Sequence, residues 1–594
     1  MSIPAWGNSF LVQELVQRAL HARLYESPTW HALTHSDGRK SKIRKSSFLL
    51  TGNRFTPEAE LIATISLLYG NEEPDSRQCD YPARNRWIAE QLGTEPASLQ
   101  HCRELTEYLA RVPVDEVTLV YASENLSQPS SIMGHILIKL AGKDAEGQRR
   151  EHAVSFFTDV QGVNVPKIVY DSLVAGKSGY FSLTPYEKKI DAYLAGEQRN
   201  VWEYRLDLTE SERKMVQLHI WELRNANPAY YFDAYNCATL TNFVLATANP
   251  ALLERGSYLM SPLDVVRNVH QQNMIASVVV LPSNKWKIRM ISGTLTSPGN
   301  AAVKASVDAV DAARLPEMPS GEEQFLVWSL ADTYNDYLVE TDQRKSGTWQ
   351  EYKTQLTVHS PPEDQGYVID VSQYKNPLKA PKDGQWRMGF ARAGDDNYLL
   401  VGLLPVSHTL SEDNSQYFSE SELRLADISV LINEDDIELN ELQLYSASSY
   451  LPRNSFTGGL SGTFRFGIEP HYDEQLERKL AGNVSGGLGF TFAPIEQVFV
   501  YTMLKAGLGY RAGSPYVYAV PEVGLIVDEA MGMKTIVTVN QTFGQIDAGS
   551  SYTSVNLRQS ARLGDTYTIA LEGTWFVNHT GSDLEFSAAL KYLF

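Results

Sequence analysis

The final third of the chain alternates apolar and polar side chains, and this pattern restricts the fold more than any other feature of the sequence. Between Trp386 and Phe594, segments of roughly ten to fourteen residues are separated by Gly, Asn, Asp and Pro turns. A period of two residues predicts strands with one apolar face. In the last segment one face carries Leu584, Phe586, Ala588, Leu590, Tyr592 and Phe594, and the other carries Asp583, Glu585, Ser587 and Lys591.

Two folds show this alternation, a soluble sandwich and a transmembrane barrel. The barrel is favoured because the segments exceed the roughly five or six residues of ordinary soluble strands. Aromatic residues also recur at segment ends, where lipid headgroups would lie, and the final residues resemble the signal that the outer-membrane insertion machinery reads. We predict an antiparallel transmembrane β-barrel of about 12 strands over residues 381–594, with short periplasmic turns and a lumen filled mostly by side chains.

Composition narrows the class of protein further. The formal charge of −19 argues against a nucleic-acid partner. No apolar run approaches the roughly 20 residues of a membrane-spanning helix. The chain opens without the basic and apolar regions of a signal peptide, so for an exported protein we expect such a signal to have been removed from this numbering.

The residues before the barrel divide into three regions. Residues 1–112 have helical apolar spacing and are predicted to form a helical cap domain. Residues 113–290 mix strands and helices and are assigned as the catalytic domain. Residues 291–380 are interpreted as a connector. The predicted fold class is therefore multidomain α+β.

Cys237 and His135 are the candidate nucleophile and base. Asn236 is a good N-cap, and the apolar residues that follow it predict a helix with Cys237 in its first turn. Unpaired N–H groups and the helix dipole at that position favour a thiolate. His135 begins a predicted strand at a Gly-His step. Each residue alone is more often structural, but a Cys at a helix start and a His at a strand start are together the two halves of a papain-like site.

Further site residues are assigned around this pair. A papain-like site needs a third residue that orients the imidazole from a neighbouring strand, and Ser155 is assigned to this role, with His152 as the alternative. Substrate binding is assigned to Tyr121, Ser131, Tyr235 and Asn236.

The other two cysteines, Cys79 and Cys102, lie close in sequence among helical segments and are predicted to pair as a disulfide, leaving Cys237 as the odd thiol. The alternative is three reduced cysteines in a cytosolic protein, and the predicted barrel argues against it. No metal or cofactor is expected. The residues His101, Cys102, His152 and His219 lack the spacing of a ligand set.

Three motifs carry a family resemblance: the run 131–135 (Ser-Ile-Met-Gly-His), the run 233–239 (Asp-Ala-Tyr-Asn-Cys-Ala-Thr) and the run 78–87 that begins Gln-Cys-Asp-Tyr-Pro. Together they resemble the Lnb N-terminal periplasmic domain family over roughly residues 1–290. The named member of that family is a bacterial lipoprotein N-acyltransferase. Its core is similar to circularly permuted papain-like thiol enzymes of the NlpC and lecithin:retinol acyltransferase kind. The resemblance implies this fold for residues 113–290, with His135 as base and Cys237 as nucleophile.

The function predicted from these features is an outer-membrane thiol acyltransferase with its N-terminal domains in the periplasm. The expected partners are outer-membrane phospholipid as acyl donor, an amine such as a lipoprotein N-terminus as acceptor, and the insertion machinery during biogenesis. Three alternatives remain open: a cysteine peptidase or amidase that acts on cell-wall peptides, a phospholipase, and a barrel with an inactive periplasmic adaptor domain.

Overall fold

The computed structural model describes the chain except for residues 1–5, 44–47, 71–72, 125–132, 159–175, 225, 227, 232–234, 255–259, 359–368, 370–374, 395 and 545–550. The chain divides into two compact units, Met1–Ser283 and Asn284–Phe594. Among the helices of the described residues, none is both long enough and apolar enough to cross a membrane.

The first unit is built on an antiparallel sheet whose central strand begins with His135. The helices are α1 (Trp6–His21), α2 (Pro28–Leu33), α3 (Pro57–Tyr69), α4 (Pro82–Leu92), α5 (Arg103–Arg111), α6 (Tyr186–Asp191), α7 (Glu210–Leu223), α8 (Cys237–Ala246) and α9 (Pro262–Gln271). The strands are β1 (Glu116–Ala122), β2 (His135–Lys143), β3 (Arg149–Thr158), β4 (Lys177–Pro185), β5 (Val201–Leu206), β6 (Ala229–Tyr230) and β7 (Ile275–Leu281). Their spatial order in the described part of the chain is β6-β4-β3-β2-β1-β5-β7.

Helix starts in this unit follow capping signals in the sequence. Thr56 Oγ1 accepts a hydrogen bond from the Ala59 N–H (3.1 Å), and Pro57 occupies the first position of α3. Thr209 and Glu212 form a capping box at the start of α7. These side chains bind N–H groups that have no partner inside the helix, so each helix begins directly after its capping residue.

The N-terminal helices share one hydrophobic core with the α/β region. Trp30 stacks on Trp87 with ring centroids 5.5 Å apart. Met215 and Leu218 of α7 belong to the same buried cluster as apolar residues of α1, α3 and α4. The expected boundary at residue 112 is therefore absent, because the apolar faces of the N-terminal helices are buried against α7. Residues 1–112 are not a separate cap.

Cys79 and Cys102 form the disulfide that the sequence predicts, with their Cα atoms 5.5 Å apart. Trp221 of α7 packs against this pair, and its indole N–H donates to the Cys79 carbonyl (2.7 Å). The remaining cysteine, Cys237, is a free thiol.

The second unit opens with a helical layer. Its helices are α10 (Asn284–Thr294), α11 (Ser297–Ala309), α12 (Gly321–Glu340) and α13 (Ser346–Val358). Val303, Leu330 and Tyr352 are buried in a core of their own, which also contains Phe456 from a barrel loop. The predicted connector at 291–380 is therefore largely a packed helical layer that begins at Asn284.

The rest of this unit is the closed antiparallel barrel of 12 strands that the alternation predicts, which confirms this part of the predicted fold. The sheet closes into a barrel because its last strand is hydrogen-bonded to its first strand. The second and third long strands are also hydrogen-bonded to each other, although a long loop joins them. The barrel strands are β8 (Gln385–Ala393), β9 (Asp396–Leu404), β11 (Glu420–Ile432), β12 (Ile437–Tyr450), β13 (Ser461–Tyr472), β14 (Arg478–Ile495), β15 (Val498–Arg511), β16 (Ser514–Asp528), β17 (Met533–Phe543), β18 (Ser551–Leu563), β19 (Tyr567–Val577) and β20 (Ser582–Leu593), and the short β10 (Val406–His408) pairs with β11.

The predicted faces of the strands are the observed ones. Leu504 and Leu508 are 64% and 63% exposed on the outer surface. Lys505, between them, points inward and pairs with Glu522 of the neighbouring strand, inside a lumen that holds a cavity of about 110 Å³. The alternation therefore separates a lipid-facing belt from a charged interior, as in outer-membrane barrels.

Short turns were expected, but the loops are longer at the end of the barrel where Gln385 and Phe594 lie. Two connections there are long, residues 405–419 and 451–460. The first folds into the lumen, where Glu412 pairs with Lys591 (2.8 Å). The second packs its Phe456 on the helical layer. These loops are long because they fill the lumen and join the barrel to the helices.

Candidate active site

Cys237 begins helix α8, as the sequence predicts. Asn236 Oδ1 accepts a hydrogen bond from the Thr239 N–H (3.0 Å) and so caps the helix. The Cys237 thiol is 5% exposed and is in hydrogen-bond contact with the Ile136 N–H, the Tyr230 hydroxyl and the Ala238 N–H. Because Ile136 directly follows His135 in β2, the sulfur lies beside the strand start that carries the imidazole.

His135 is held at the end of the central strand, where it pairs with Ala122 of β1. Its Nε2 is buried and has no hydrogen-bond partner among the described residues. The Tyr193 ring lies 6.2 Å from the imidazole, centroid to centroid, and Tyr193 also interacts electrostatically with Cys237. The two predicted residues therefore lie on neighbouring elements in the interior, Tyr193 interacts with both, and the buried imidazole Nε2 is left without a partner among the described residues.

The charge state of the pair differs from the expectation of a thiolate. Burial raises the pKa of the Cys237 thiol, and the hydrogen bonds from Ile136, Tyr230 and Ala238 offset only part of this effect. Burial, together with the Lys189 and Arg199 charges, lowers the pKa of His135 to about 3. At neutral pH the resting site is therefore a neutral thiol beside a neutral imidazole. The helix dipole is outweighed because desolvation penalises the charged forms.

Gly134 is a backbone requirement of this arrangement. Its φ of +86° lies in the left-handed region that favours glycine. A Cβ at this position would lie 2.7 Å from Cε2 of Tyr121 and 2.9 Å from the Ala122 carbonyl oxygen. The Gly-His step in the sequence therefore reflects a close approach of β1 to the chain just before His135.

Several other residues that were assigned to catalysis or substrate binding have structural roles instead. Ser155 exchanges a hydrogen bond with Ser182 (2.9 Å), and no contact between Ser155 and His135 is present among the described residues. The Tyr235 hydroxyl bonds to His35 Nδ1 (2.6 Å), and Asn236 is used as a helix cap, so both have structural partners where substrate contacts were expected. Tyr121 is buried against Gly134. Ser131 lies outside the described residues.

His152, the alternative third residue, pairs with Leu140, five residues along β2 from His135. Side chains alternate between the faces of a strand, so His152 lies on the opposite face of the sheet from His135. It is therefore too far away to orient the imidazole.

Two tyrosines at the site were not found from the sequence. Tyr230 contacts the sulfur, and Tyr193 lies near the His135 ring and interacts electrostatically with Cys237. Tyr230 is part of the aromatic run before Cys237, but nothing local distinguishes it from its neighbour Tyr231. Tyr193 is in a short π-helix, Ala192–Gly196, and only the packing of that turn on the sheet brings it to the site.

One group of potential metal ligands occurs in the described part of the chain. Ligand atoms of Cys79, His101 and Cys102 lie within 4.8 Å of one another. The two sulfurs are bonded to each other in the disulfide, so they are not available as thiolates.

Acidification is expected to destabilise the first unit. His35, His135 and His219 are buried, and burial lowers the pKa of each below its usual value. An unfolded histidine titrates near about 6.5, so below that pH the unfolded chain binds more protons than the folded chain. The free energy of unfolding should be constant above about pH 7 and fall on the order of 2 kcal/mol at pH 5 through His135 alone, whose folded pKa is about 3, with further losses through His35 and His219.

Thermal unfolding of the full chain in detergent, followed by trypsin cleavage within residues 1–283, measures this effect. His219→Gln should reduce the loss of stability between pH 7.5 and pH 5. The exposed His101→Gln is the control and should leave the loss unchanged. A melting temperature that is equal at both pH values would contradict the prediction.

Comparisons with known proteins agree with the architecture. Residues 104–272 match the family model described as the Lnb N-terminal periplasmic domain, which confirms the resemblance for those residues. Residues 22–91 and 374–592 match two domains of unknown function, DUF7843 and DUF7840. The Lnb match is thus narrower than the range of 1–290 inferred from the motifs. A search of curated proteins found no match.

Several solved structures of membrane barrels are similar to this chain. The transport unit of the autotransporter AIDA-I from Escherichia coli is 9% identical, with a TM-score of 0.23, and the alignment covers 41% of this chain and 97% of that one. The β domain of the Bordetella autotransporter BrkA is 12% identical, with a TM-score of 0.20 and coverage of 36% and 99%. OmpT of Vibrio cholerae is 11% identical, with a TM-score of 0.20 and coverage of 35% and 97%. Scores this low say nothing about function.

The location of the chain follows from its own barrel and from the periplasmic-domain match. A closed barrel with an apolar exterior and a charged lumen is an outer-membrane barrel. The chain is an outer-membrane protein with its N-terminal residues in the periplasm.

Proposed function

We propose that this chain is a cysteine acyltransferase that takes an acyl chain from an outer-membrane phospholipid and passes it to an amine, such as the N-terminus of a lipoprotein. The observation that carries the proposal is the contact of the Cys237 sulfur with the N–H that directly follows His135, together with the buried, available Nε2 of that histidine. The match to the Lnb periplasmic domain and the outer-membrane barrel support the choice of donor and acceptor.

In the first step the Cys237 sulfur attacks the carbonyl carbon of an ester as His135 takes the thiol proton. A neutral imidazole is the form able to accept this proton, and the low pKa of His135 keeps it in that form. The N–H groups of Ile136 and Ala238 and the Tyr230 hydroxyl, which contact the sulfur, are the candidate donors to the oxyanion. The ester C–O bond then breaks, His135 returns its proton to the leaving alcohol, and a thioester remains.

In the second step an amine attacks the thioester carbonyl and transfers a proton to His135. The C–S bond breaks, the thiol regains the proton, and an amide leaves the site. With water in place of the amine, the same steps release a fatty acid. The acceptor therefore decides between a transferase and a phospholipase.

The test is intact mass spectrometry of the full chain in detergent after incubation with phosphatidylethanolamine. We expect a mass increase of one acyl group that hydroxylamine removes, that is absent from Cys237→Ala and that is retained by a variant with Cys79 and Cys102 both replaced by serine. A peptide with an N-terminal diacylglyceryl cysteine should then become N-acylated. Release of fatty acid alone would identify a phospholipase. Absence of the adduct, with cleavage of cell-wall peptides, would overturn the proposal in favour of a peptidase.

A further inference from the structure

A continuous chain of buried polar side chains ends two residues before the nucleophile. The Tyr235 hydroxyl bonds to His35 Nδ1 (2.6 Å), and His35 Nε2 bonds to His219 Nε2 (2.9 Å). His219 Nδ1 bonds to Glu222 Oε2 (3.3 Å). His35, His219 and Glu222 are buried, and Tyr235 is 1% exposed.

The far end of this chain is held by charged groups. Glu222 Oε1 accepts hydrogen bonds from the N–H groups of Ala83 (2.8 Å) and Arg84 (2.9 Å) at the start of α4. The Arg84 guanidinium lies 3.4 Å from Glu222 and 3.0 Å from Glu60. A carboxylate bound by these donors can only accept hydrogen bonds, so His219 Nδ1 must donate to it.

Because His219 donates to Glu222, the donor and acceptor of every other hydrogen bond in this series of side chains are also fixed. A neutral His219 that donates through Nδ1 accepts through Nε2, so His35 must donate from its own Nε2. His35 then accepts through Nδ1, and the donor is the Tyr235 hydroxyl. Each histidine is therefore held in a single tautomer, and every link is satisfied by neutral imidazoles.

Tyr235 connects these buried side chains to the residues around Cys237. Its N–H donates to the Tyr231 carbonyl (3.1 Å) and its carbonyl accepts from the Tyr231 N–H (3.0 Å), which forms an isolated β-bridge. Tyr230, whose hydroxyl contacts the sulfur, precedes this bridge, and Cys237 follows it. The anchored bridge therefore determines where the Tyr230 hydroxyl meets the thiol.

We propose that Tyr235, His35, His219 and Glu222 form a positioning relay that holds Tyr230 and Cys237 in the geometry needed for attack. The inference rests on the proposed role of Cys237 as nucleophile. It also assigns a task to the N-terminal segment, since His35, Glu60 and Arg84 lie in residues 22–91, which match a different family from residues 104–272. The N-terminal segment contributes His35 to the relay, and Arg84, paired with Glu60, holds Glu222.

The experiment measures the alkylation of Cys237 by iodoacetamide in the full chain. Cys79 and Cys102 are bonded to each other, so Cys237 is the single free thiol. Tyr235→Phe and His219→Leu should loosen the bridge, so we expect alkylation to become about fivefold faster, the equivalent of one buried hydrogen bond, and acylation by phospholipid to become slower by a similar factor. His219→Gln retains an acceptor for His35 and should stay close to wild type.

Tyr204→Phe is the matched control, because Tyr204 is buried in the same unit and its hydroxyl has no partner among the described residues. The relay is overturned if Tyr235→Phe is alkylated at the rate of Tyr204→Phe, or if His219→Gln is as impaired as His219→Leu. If His219→Leu does not fold, the two tyrosine variants decide the question. A wild type that takes up no acyl group would remove the proposed function, while the alkylation rates would still test the relay.

Discussion

Replacing His135 by glutamine is expected to lower the rate of acylation of Cys237 by about 10²–10⁴-fold, the usual contribution of a general base. The reason lies in the resting charge state. The pKa of the Cys237 thiol is raised by burial, so little thiolate exists at neutral pH without a base to remove the proton. Single-turnover acylation by phospholipid, followed by intact mass, measures the rate.

The rate of His135→Gln should also rise with pH as hydroxide deprotonates the thiol, whereas the wild type should depend on pH only weakly. His152→Gln is the control. His152 pairs with Leu140, about 16 Å along β2 from His135. A His135→Gln variant that acylates at the rate of His152→Gln would show that the imidazole is not the base.

Replacing Gly134 by alanine is expected to displace His135 and to lower acylation by about 10²-fold, as misplacement of a catalytic group by about 1 Å does. The added Cβ would meet both the Tyr121 ring and the Ala122 carbonyl within 3 Å, so the chain before His135 must shift. The left-handed φ adds strain, and the two effects together should destabilise the first unit by about 1–3 kcal/mol.

Gly147→Ala separates these two causes. Gly147 also has a positive φ, +77°, but a Cβ there would have no atom within 4 Å. Its replacement carries the strain without the contact, so it should lose stability and retain the rate of acylation. Thermal unfolding and single-turnover acylation of both variants are the measurements. If both acylate at equal rates, the position of His135 does not depend on the contact at Gly134.

Some residues of the site could be predicted from the sequence around them, and others could not. Asn236 followed by an apolar helix is a local signal, and the helix begins at Cys237 as predicted. Tyr193 and His35 were not assigned to the site, because each is brought there by packing. His35 lies 200 residues from its partner Tyr235 in the sequence. Ser155 was assigned from its strand alone, and its neighbour across the sheet, Ser182, takes up its hydroxyl.

The boundary predicted at residue 112 does not divide two compact units in the structure, for a related reason. Residues 1–112 have the composition of a helical domain, but composition does not reveal which surface covers an apolar helix face. In the structure that surface is α7, from beyond residue 200, so the expected cap is part of the first unit.

The sequence by itself determined the barrel, its 12 strands and the helix start at Cys237, because alternation and capping act between residues close together in the chain. Only the tertiary structure decided the protonation of the thiol and the imidazole. The sequence favours a thiolate through the helix dipole, but burial by segments far apart in the chain reverses this preference. Desolvation depends on every neighbour in space, so it becomes visible only once the chain is folded.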